Sequence, residues 1–258
     1  MHLAPLITMP LNFISMNIQA NHTVGEIVAQ NYRTASVFKA HGIDFCCKGG
    51  RSISEVCKSK NLKPEAILEE IRLAAASGEE PSADYYRWPL DLLVDYVEKK
   101  HHRYVAAKSP ELAQYLDKLC KVHGERHPEL FEIRDEFAHV ASELTAHMQK
   151  EEMILFPFIR RLVTEKQPAR PPFGTVENPI NMMMHEHTVE GERLARIAEL
   201  TNQYAPPADG CTTYRVAFAM LKEFEEDLHL HIHLENNIMF PRAIELEKQL
   251  VQFEVSAN

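Results

Sequence analysis

One eleven-residue motif occurs twice in the chain, and it limits the possible folds more than any other feature. Residues 147–157 and residues 231–241, which lie 84 positions apart, both read H-x-x-x-E-x-x-I-x-F-P. Helix residues four positions apart lie one turn above each other on the same face, so each copy presents a histidine beside a glutamate. Two such pairs in one chain can supply the ligands of a two-metal site.

The segments upstream of the two copies are also repeated. His102 lies 45 residues before His147, and His187 lies 44 residues before His231. Each half of this region therefore consists of a helix with one histidine, a connection, and a helix with the H-x-x-x-E motif. Two helix pairs in succession predict an all-α fold, a four-helix bundle built from a duplicated unit.

The apolar pattern that leads into each motif indicates that the motif residues face a core. Positions 133, 137, 140 and 144 are apolar and continue to His147 and Glu151; positions 217, 221, 224 and 228 do the same before His231 and Glu235. Steps of three and four residues are typical of the buried seam of a bundle. An unpaired carboxylate in such a seam costs several kcal/mol, and no Lys or Arg lies on either stripe to pair with it. A divalent metal ion would compensate the glutamates and bind the neutral histidines.

On the other two helices, the apolar pattern selects one candidate histidine clearly in the third helix but not in the first. On the third helix the stripe through Ile180, Met183 and Leu194 includes His187 but not His185. On the first helix the stripe points His101 inward better than His102, whereas the spacing of the repeat favours His102. The pattern alone leaves these two alternatives open.

The candidate ligands are thus four histidines and two glutamates. Two bridging carboxylates and two imidazoles for each metal would form a dinuclear centre, with an oxide, a hydroxide or water completing the bridge. Mixed nitrogen and oxygen ligands with open positions suit iron or manganese, and a site without thiolates is a poor structural zinc site.

Composition excludes several other classes of function. The chain has a formal charge of −9; residues 1–82 carry 8 basic and 8 acidic side chains, and residues 83–258 carry 20 basic and 29 acidic ones. There is no basic stripe for phosphates, so we expect no nucleic-acid binding. No apolar run is long enough to predict a membrane span. The five cysteines do not form a disulfide framework, which favours the cytoplasm.

The chain divides into three predicted parts. Residues 1–17 contain two prolines and no Lys or Arg, and we expect a poorly ordered leader rather than a signal peptide. Residues 18–80 predict a small helical domain that opens with a capping box from Thr23 to Glu26. Residues 81–258 form the predicted bundle, with helices over about 89–107, 128–163, 180–203 and 212–249. Pro157 and Pro241 should kink or interrupt the second and fourth helices.

A second motif lies in the small N-terminal domain, where residues 44–50 read D-F-C-C-K-G-G. In combination with the two H-x-x-x-E-x-x-I-x-F-P segments, this motif resembles the repair-of-iron-centres proteins, a family with a hemerythrin-like di-iron bundle. The resemblance extends from about Ile18 to Ile244. It departs from the family at Lys48, where glycine often follows the cysteine pair, and in the length of the leader.

The resemblance implies two non-haem iron ions held by His102, His147, Glu151, His187, His231 and Glu235. It selects His102 over His101, because the family's ligand matches the second histidine of the pair. It also implies a cytoplasmic protein, often a homodimer, that repairs iron–sulfur clusters damaged by nitric oxide or hydrogen peroxide. The expected partners are therefore damaged iron–sulfur proteins, which would receive labile iron.

Cys46 and Cys47 are the other candidate site residues. Adjacent thiols beside Lys48 and a glycine-rich turn can have lowered pKa values and can act in thiol redox chemistry or in iron transfer.

Two alternative functions follow from the same predicted centre. Two ferrous ions about 3.5–4 Å apart could couple nitric oxide or reduce peroxide, with electrons from a partner protein because the sequence has no flavin or nicotinamide motif. Reversible oxygen binding or sensing is less favoured, since the repeat predicts two histidines for each iron rather than unequal ions.

Overall fold

The computed structural model describes residues 18–77, 83–165 and 171–257, with side chains through residue 252. The predicted all-α class is confirmed: within these ranges the regular elements are helices, and Thr23 and Ser52 form an isolated β-bridge. None of the helices in the described part of the chain is long and apolar enough to cross a membrane.

The short helices that precede the bundle are α1 (Val24–Gln30), α2 (Ala35–Ala40), α3 (Ile53–Lys60) and α4 (Pro64–Ala76), with a 3₁₀ turn at Tyr32–Thr34. Capping boxes start α1 and α3. The predicted capping box at Thr23 is confirmed, because its hydroxyl accepts the Glu26 N–H at 3.2 Å while Glu26 accepts the Thr23 N–H at 2.9 Å. Ser52 and Glu55 form a second box that starts α3. Each box satisfies backbone donors that a helix start leaves unpaired.

Three of the four bundle helices contain a π-helical segment. The first bundle helix consists of α5 (Leu90–Tyr96), a π segment (Val97–His102) and α6 (Arg103–His123). The second consists of α7 (Glu129–Lys150), a π segment (Glu151–Leu155) and α8 (Phe156–Thr164), and the third is α9 (Glu177–Leu200). The fourth consists of α10 (Thr212–Leu234), a π segment (Glu235–Met239) and α11 (Phe240–Ala257).

The first bundle helix is longer than the sequence predicted. We expected it to end near Ala107, but α6 continues through Pro110 to His123. The expectation was wrong because a proline costs a helix only one backbone donor and a local bend, while this helix buries Leu112, Leu116 and Leu119 beyond the proline.

The core has two apolar clusters with a polar layer between them in the bundle. One cluster joins the N-terminal helices to the bundle through residues such as Phe38, Phe45, Phe137 and Phe224. The other lies around Phe156 and Phe240. Between these clusters lie His102 on the first bundle helix, His187 on the third, and the histidine and glutamate of the repeated motif on the second and fourth.

The proposed leader, residues 1–17, lies outside the described residues, as do residues 78–82 around the proposed domain boundary. The division into residues 18–80 and 81–258 therefore stays a prediction.

Candidate metal centre

Six buried side chains from four helices meet in the polar layer of the bundle. None of them has more than 3% of its surface exposed. They form two groups in which one ligand atom from each residue lies within 4.8 Å of the others: His102, Glu151, His231 and Glu235, and His147, Glu151, His187 and Glu235. The two groups share both glutamates, so each carboxylate could reach a cation in either group.

Each glutamate lies between the two histidines of its own half of the repeat. An oxygen of Glu151 lies 3.4 Å from Nε2 of both His102 and His147. The oxygens of Glu235 lie 3.2 Å from His187 Nε2 and 3.1 Å from His231 Nε2. Each group of four, in contrast, takes one histidine from each half, so neither half could form a complete site alone.

The π-helical segments coincide with the site. Two of them begin at Glu151 and Glu235 and end immediately before Phe156-Pro157 and Phe240-Pro241. The predicted interruption at both prolines is thus confirmed, and each proline occupies the start of a new α-helix, where its missing N–H costs little. Single-turn π segments of this kind are frequent at functional sites.

His101 and His102 are both buried, and both lie in the π segment at Val97–His102. The wider turn of this segment changes the register of the side chains relative to an α-helix. The structure places His102 in the cluster. His101 instead lies 3.0 Å from a carboxylate oxygen of Asp227 through Nδ1 and stacks on the His231 ring at 5.6 Å. The apolar stripe, which favoured His101, correctly predicted that this residue is buried, but burial alone did not identify which histidine joins the cluster.

Three of the four histidines in the cluster are held by a partner at Nδ1. His102 donates to Glu152 at 2.7 Å, His147 to Glu186 at 2.8 Å, and His187 to Asn236 at 2.9 Å. Such bonds fix the ring and leave Nε2 free as a ligand atom. Sequence reasoning did not assign these roles to Glu152, Glu186 and Asn236, although each directly adjoins a candidate ligand in the chain.

The electrostatics of the site fit a pair of cations. Within the described residues, both oxygens of Glu151, Glu235 Oε2 and His102 Nε2 are buried without a hydrogen-bond partner. The Nε2 atoms of His147 and His187 lie 3.0 Å apart, and their Nδ1 atoms carry the protons, so two lone pairs face each other unless a proton or a cation lies between them. A buried, unpaired carboxylate is unfavourable, and a divalent cation in each of the two groups would satisfy these atoms.

The pKa values of the histidines indicate how protons occupy the same atoms. Burial lowers the pKa of His147, but Glu151, Glu186 and Glu235 outweigh it and raise that pKa to about 10. The pKa of His102 is raised in the same way, against burial, by Glu151 and Glu235. Positive charge beside the two carboxylates is therefore favoured, and cations and protons compete for these sites.

Cys46 and Cys47 lie outside this cluster but touch it. Their sulfur atoms are 3.6 Å apart, and Asp44 Oδ1 accepts the backbone N–H groups of both residues at 3.0 and 2.9 Å. The Cys47 thiol donates to the backbone carbonyl of His187 at 3.2 Å. Hydrogen bonding to Cys47 and burial raise the pKa of the Cys46 thiol, which opposes the lowered value that the sequence suggested for the pair.

His229 and His233, which flank His231, serve a different purpose. His233 is fully buried and packs against the rings of Tyr32 and Phe45, and His229 packs against Phe45. Burial lowers their pKa values to about 3 and about 4. These two histidines therefore attach the N-terminal helices to the bundle and point away from the cluster.

Comparisons with known proteins agree with this architecture. Residues 93–243 match the hemerythrin HHE cation binding domain, and residues 20–75 match a domain of unknown function, ScdA_N (DUF542). Similar proteins include the iron-sulfur cluster repair protein YtfE of Yersinia pestis (strain Pestoides F), 33% identical over 87% of this chain and 97% of that protein. The iron-sulfur cluster repair protein ScdA of Staphylococcus haemolyticus (strain JCSC1435) is 30% identical over 84% of this chain and 95% of its own length.

Proposed function

Because the chain belongs to the hemerythrin HHE cation-binding family, and to the same family as the YtfE and ScdA iron-sulfur cluster repair proteins, we propose that it supplies iron to damaged iron–sulfur clusters. The iron would come from a pair of non-haem ions. His102 and His231 would hold one ion, His147 and His187 the other, and Glu151 and Glu235 would bridge them. When bound, the ions would supply labile iron.

The observation that carries this proposal is that both glutamates belong to both groups of ligand atoms. Four imidazole nitrogens and two carboxylates, with no thiolate, are a donor set that suits iron or manganese rather than structural zinc. The names of the relatives favour iron between these two metals, since those proteins are described as repairing iron–sulfur clusters.

The side chains of the site also provide a route for release. Each glutamate has two histidines of its own half within 3.4 Å, so its carboxylate could accept a hydrogen bond from a protonated imidazole where no cation is bound. The raised pKa of His147 supports this exchange, because Nε2 takes up a proton readily beside Glu151. Glu152, Glu186 and Asn236 meanwhile keep three rings in place. Proton uptake thus offsets the buried negative charge that a departing cation would leave.

The recipients would be damaged iron–sulfur proteins. The cytoplasmic location, the homodimer, an electron donor and nitric oxide as a ligand stay predictions of the sequence analysis, as do the redox and iron-transfer roles of Cys46 and Cys47.

The direct test is reactivation of an iron–sulfur enzyme whose cluster has been damaged by nitric oxide. We expect iron-loaded protein to restore its activity in proportion to the iron transferred, and Glu151→Leu to fail. Equal amounts of free ferrous iron, and metal-free protein, are the controls. If metal-free protein restores activity equally well, the proposal is wrong. Repeated turnover of nitric oxide with a reductant, without cluster repair, would instead favour the reductase alternative.

A further inference from the structure

We propose that Cys46 and Cys47 form a redox pair. Oxidation of the pair to a disulfide would break the hydrogen bonds through Asn236 that fix the orientation of the His187 ring. This inference rests on the proposed function in one respect: a less firmly oriented His187 ring matters to the cell only if the site holds cations. The physical coupling itself is a property of the metal-free chain.

The first link in the coupling is the side chain of Asn236. Its Nδ2 donates to the carbonyl oxygen of Cys46 at 3.1 Å, and its Oδ1 lies 2.9 Å from Nδ1 of His187. Since the amide nitrogen is engaged by Cys46, the oxygen must face His187, and His187 must donate from Nδ1. The Cys46 carbonyl therefore fixes the orientation of the Asn236 amide, and this amide fixes the orientation of the His187 imidazole.

The second link is the identity of that carbonyl. It belongs to the peptide group that joins Cys46 to Cys47, whose sulfur atoms lie 3.6 Å apart. A disulfide requires about 2.05 Å between the sulfurs, and the ring that closes contains this same peptide group. Closing the ring must turn the peptide, so the carbonyl leaves the position in which it accepts the Asn236 amide.

The third link joins Cys47 to His187 directly. The Cys47 thiol donates to the His187 carbonyl at 3.2 Å. Gly191, one helical turn after His187, makes room for this sulfur, because a Cβ at Gly191 would lie 2.9 Å from it. A disulfide has no S–H to donate, so oxidation removes this contact as well.

The chemistry is an ordinary two-electron thiol oxidation, for which we name hydrogen peroxide as the oxidant. Cys47 is half-buried and lines a cleft of about 670 Å³, while Cys46 is buried beside it. The Cys47 sulfur attacks peroxide and becomes a sulfenic acid, with release of water. The Cys46 sulfur then attacks the Cys47 sulfur, the S–O bond breaks, and a second water leaves. The two thiols lose two electrons, and peroxide gains them.

The expected consequence falls on the cation group that contains His147 and His187. Loss of a hydrogen bond that orients a metal-bound histidine typically weakens metal binding 10–100-fold. The other group does not contain His187, although it shares Glu235, whose Oε2 lies 3.2 Å from His187 Nε2. Oxidation should therefore weaken the cation site that contains His187 more than the other.

The chain contains a matched control for Asn236. Asn237 also anchors this loop, because its Nδ2 donates to the Phe45 carbonyl at 3.1 Å, but its other partner is His233, which is outside the cluster. The experiment uses full-length protein with Cys211→Ser, which removes the exposed thiol, and compares it with added Asn236→Ala, Asn237→Ala and Cys47→Ser.

Metal-free protein is treated with hydrogen peroxide, the peroxide is removed, and peptide mass spectrometry locates the disulfide. Nitrogen-15 NMR of the imidazoles, with His187→Gln to assign the signal, then reports His187 without any metal. Titration with cobalt(II), which avoids reaction with residual oxidant, gives the stoichiometry and affinities. We expect a reversible Cys46–Cys47 disulfide, a changed His187 signal, and one cation bound 10–100-fold more weakly. Asn236→Ala should weaken that cation when reduced and respond little to oxidation, whereas Asn237→Ala should behave like the parent.

Failure of the disulfide to form, or an oxidised protein with unchanged His187 signal and cobalt affinities, would overturn the proposal. So would an unchanged oxidation response in Asn236→Ala. If the reduced parent binds no pair of cations, the proposed function fails instead, and the NMR response in metal-free protein still decides the coupling. A phosphine reductant should restore the His187 signal and the cobalt affinities of the oxidised parent. This measurement needs no variant, so it tests the coupling even if Asn236→Ala folds poorly.

Discussion

Glu152 and Asn236 occupy equivalent positions in the two halves of the repeat, 84 residues apart, and each accepts the Nδ1 proton of a histidine on the preceding bundle helix. Glu152 binds His102 at 2.7 Å, and Asn236 binds His187 at 2.9 Å. The two hydrogen bonds have the same geometry, but Glu152 is charged and Asn236 is not. A carboxylate makes its imidazole a more basic ligand than an amide does, so His102 and His187 should differ in strength as metal ligands.

This difference predicts the effect of Glu152→Gln. The amide keeps an oxygen for His102 Nδ1 but removes the charge, and we expect one cation to bind about 10-fold more weakly, at the low end of such effects. Cobalt(II) titration measures this affinity. Glu111→Gln, which alters an exposed ion pair with Lys108, serves as the control and should bind both cations normally.

Glu151→Leu and Glu235→Leu test the bridging role. Leucine suits the apolar stripe in shape, and His102 and His147 can become neutral once a carboxylate that raises their pKa is removed. We expect the metal-free variants to stay folded and to lose stable binding of two ions, as measured by iron per chain. Glu143→Leu, on an exposed position of the same helix, should keep both. Two irons in both bridge variants would refute the shared-carboxylate centre.

His101→Leu and His102→Leu separate two adjacent buried residues. His102→Leu should lose one of the two ions, because His102 belongs to the cluster. His101→Leu should keep both ions but cost about 1–3 kcal/mol of unfolding free energy, since it leaves Asp227 without its partner. Metal analysis and urea unfolding give the two readouts. The opposite pattern of metal loss would show that the family resemblance misled the assignment on this helix.

Glu190 should give the metal-free protein a pH-dependent stability. Burial, with help from Glu143 and Glu136 and against Arg193 and His147, raises its pKa to about 7. The folded state thus keeps the proton above pH 4.5 while the unfolded state loses it. This contribution to stability is complete below pH 4.5 and is lost as the pH rises through about 7.

Glu190→Gln should remove that dependence. The range from about pH 5 to about pH 8 roughly spans the unfolded and folded pKa values of Glu190. Over this range the free energy of unfolding of the parent should fall by up to about 3 kcal/mol relative to the variant. Urea unfolding of both proteins across this range measures the difference. Parallel stability curves would mean that Glu190 titrates normally.

Gly49→Ala and Gly191→Ala should differ in stability because different atoms obstruct the new methyl group. At Gly49 a Cβ would lie 2.5 Å from the backbone carbonyl of Phe45, whereas at Gly191 it would meet the movable Cys47 sulfur at 2.9 Å. Gly49→Ala should cost about 1–3 kcal/mol. Gly191→Ala should stay within about 1 kcal/mol of the parent, because better helix propensity offsets the crowding, while Cys47 reacts faster with a thiol reagent. The midpoint of urea unfolding measures the stability of each variant, and the rate of reaction with the thiol reagent measures the reactivity of Cys47.

The sequence alone was sufficient for the helical class and for most of the candidate cluster. Residues four apart share a helix face whatever surrounds them, so His147 with Glu151 and His231 with Glu235 followed from spacing. The same periodicity selected His187 over His185, and the structure brings His187 into the cluster. Burial in a bundle seam then required compensation of the carboxylates.

Tertiary structure decided what periodicity could not. The π segment at Val97–His102 shifts the helical register, so an α-helical stripe misjudged which of His101 and His102 joins the cluster. The partners of Nδ1 come from other helices, as Glu186 does for His147. The contact of Asn236 with Cys46 joins residues that are 190 positions apart. Such contacts depend on how separate helices pack, and no local pattern in the chain records that packing.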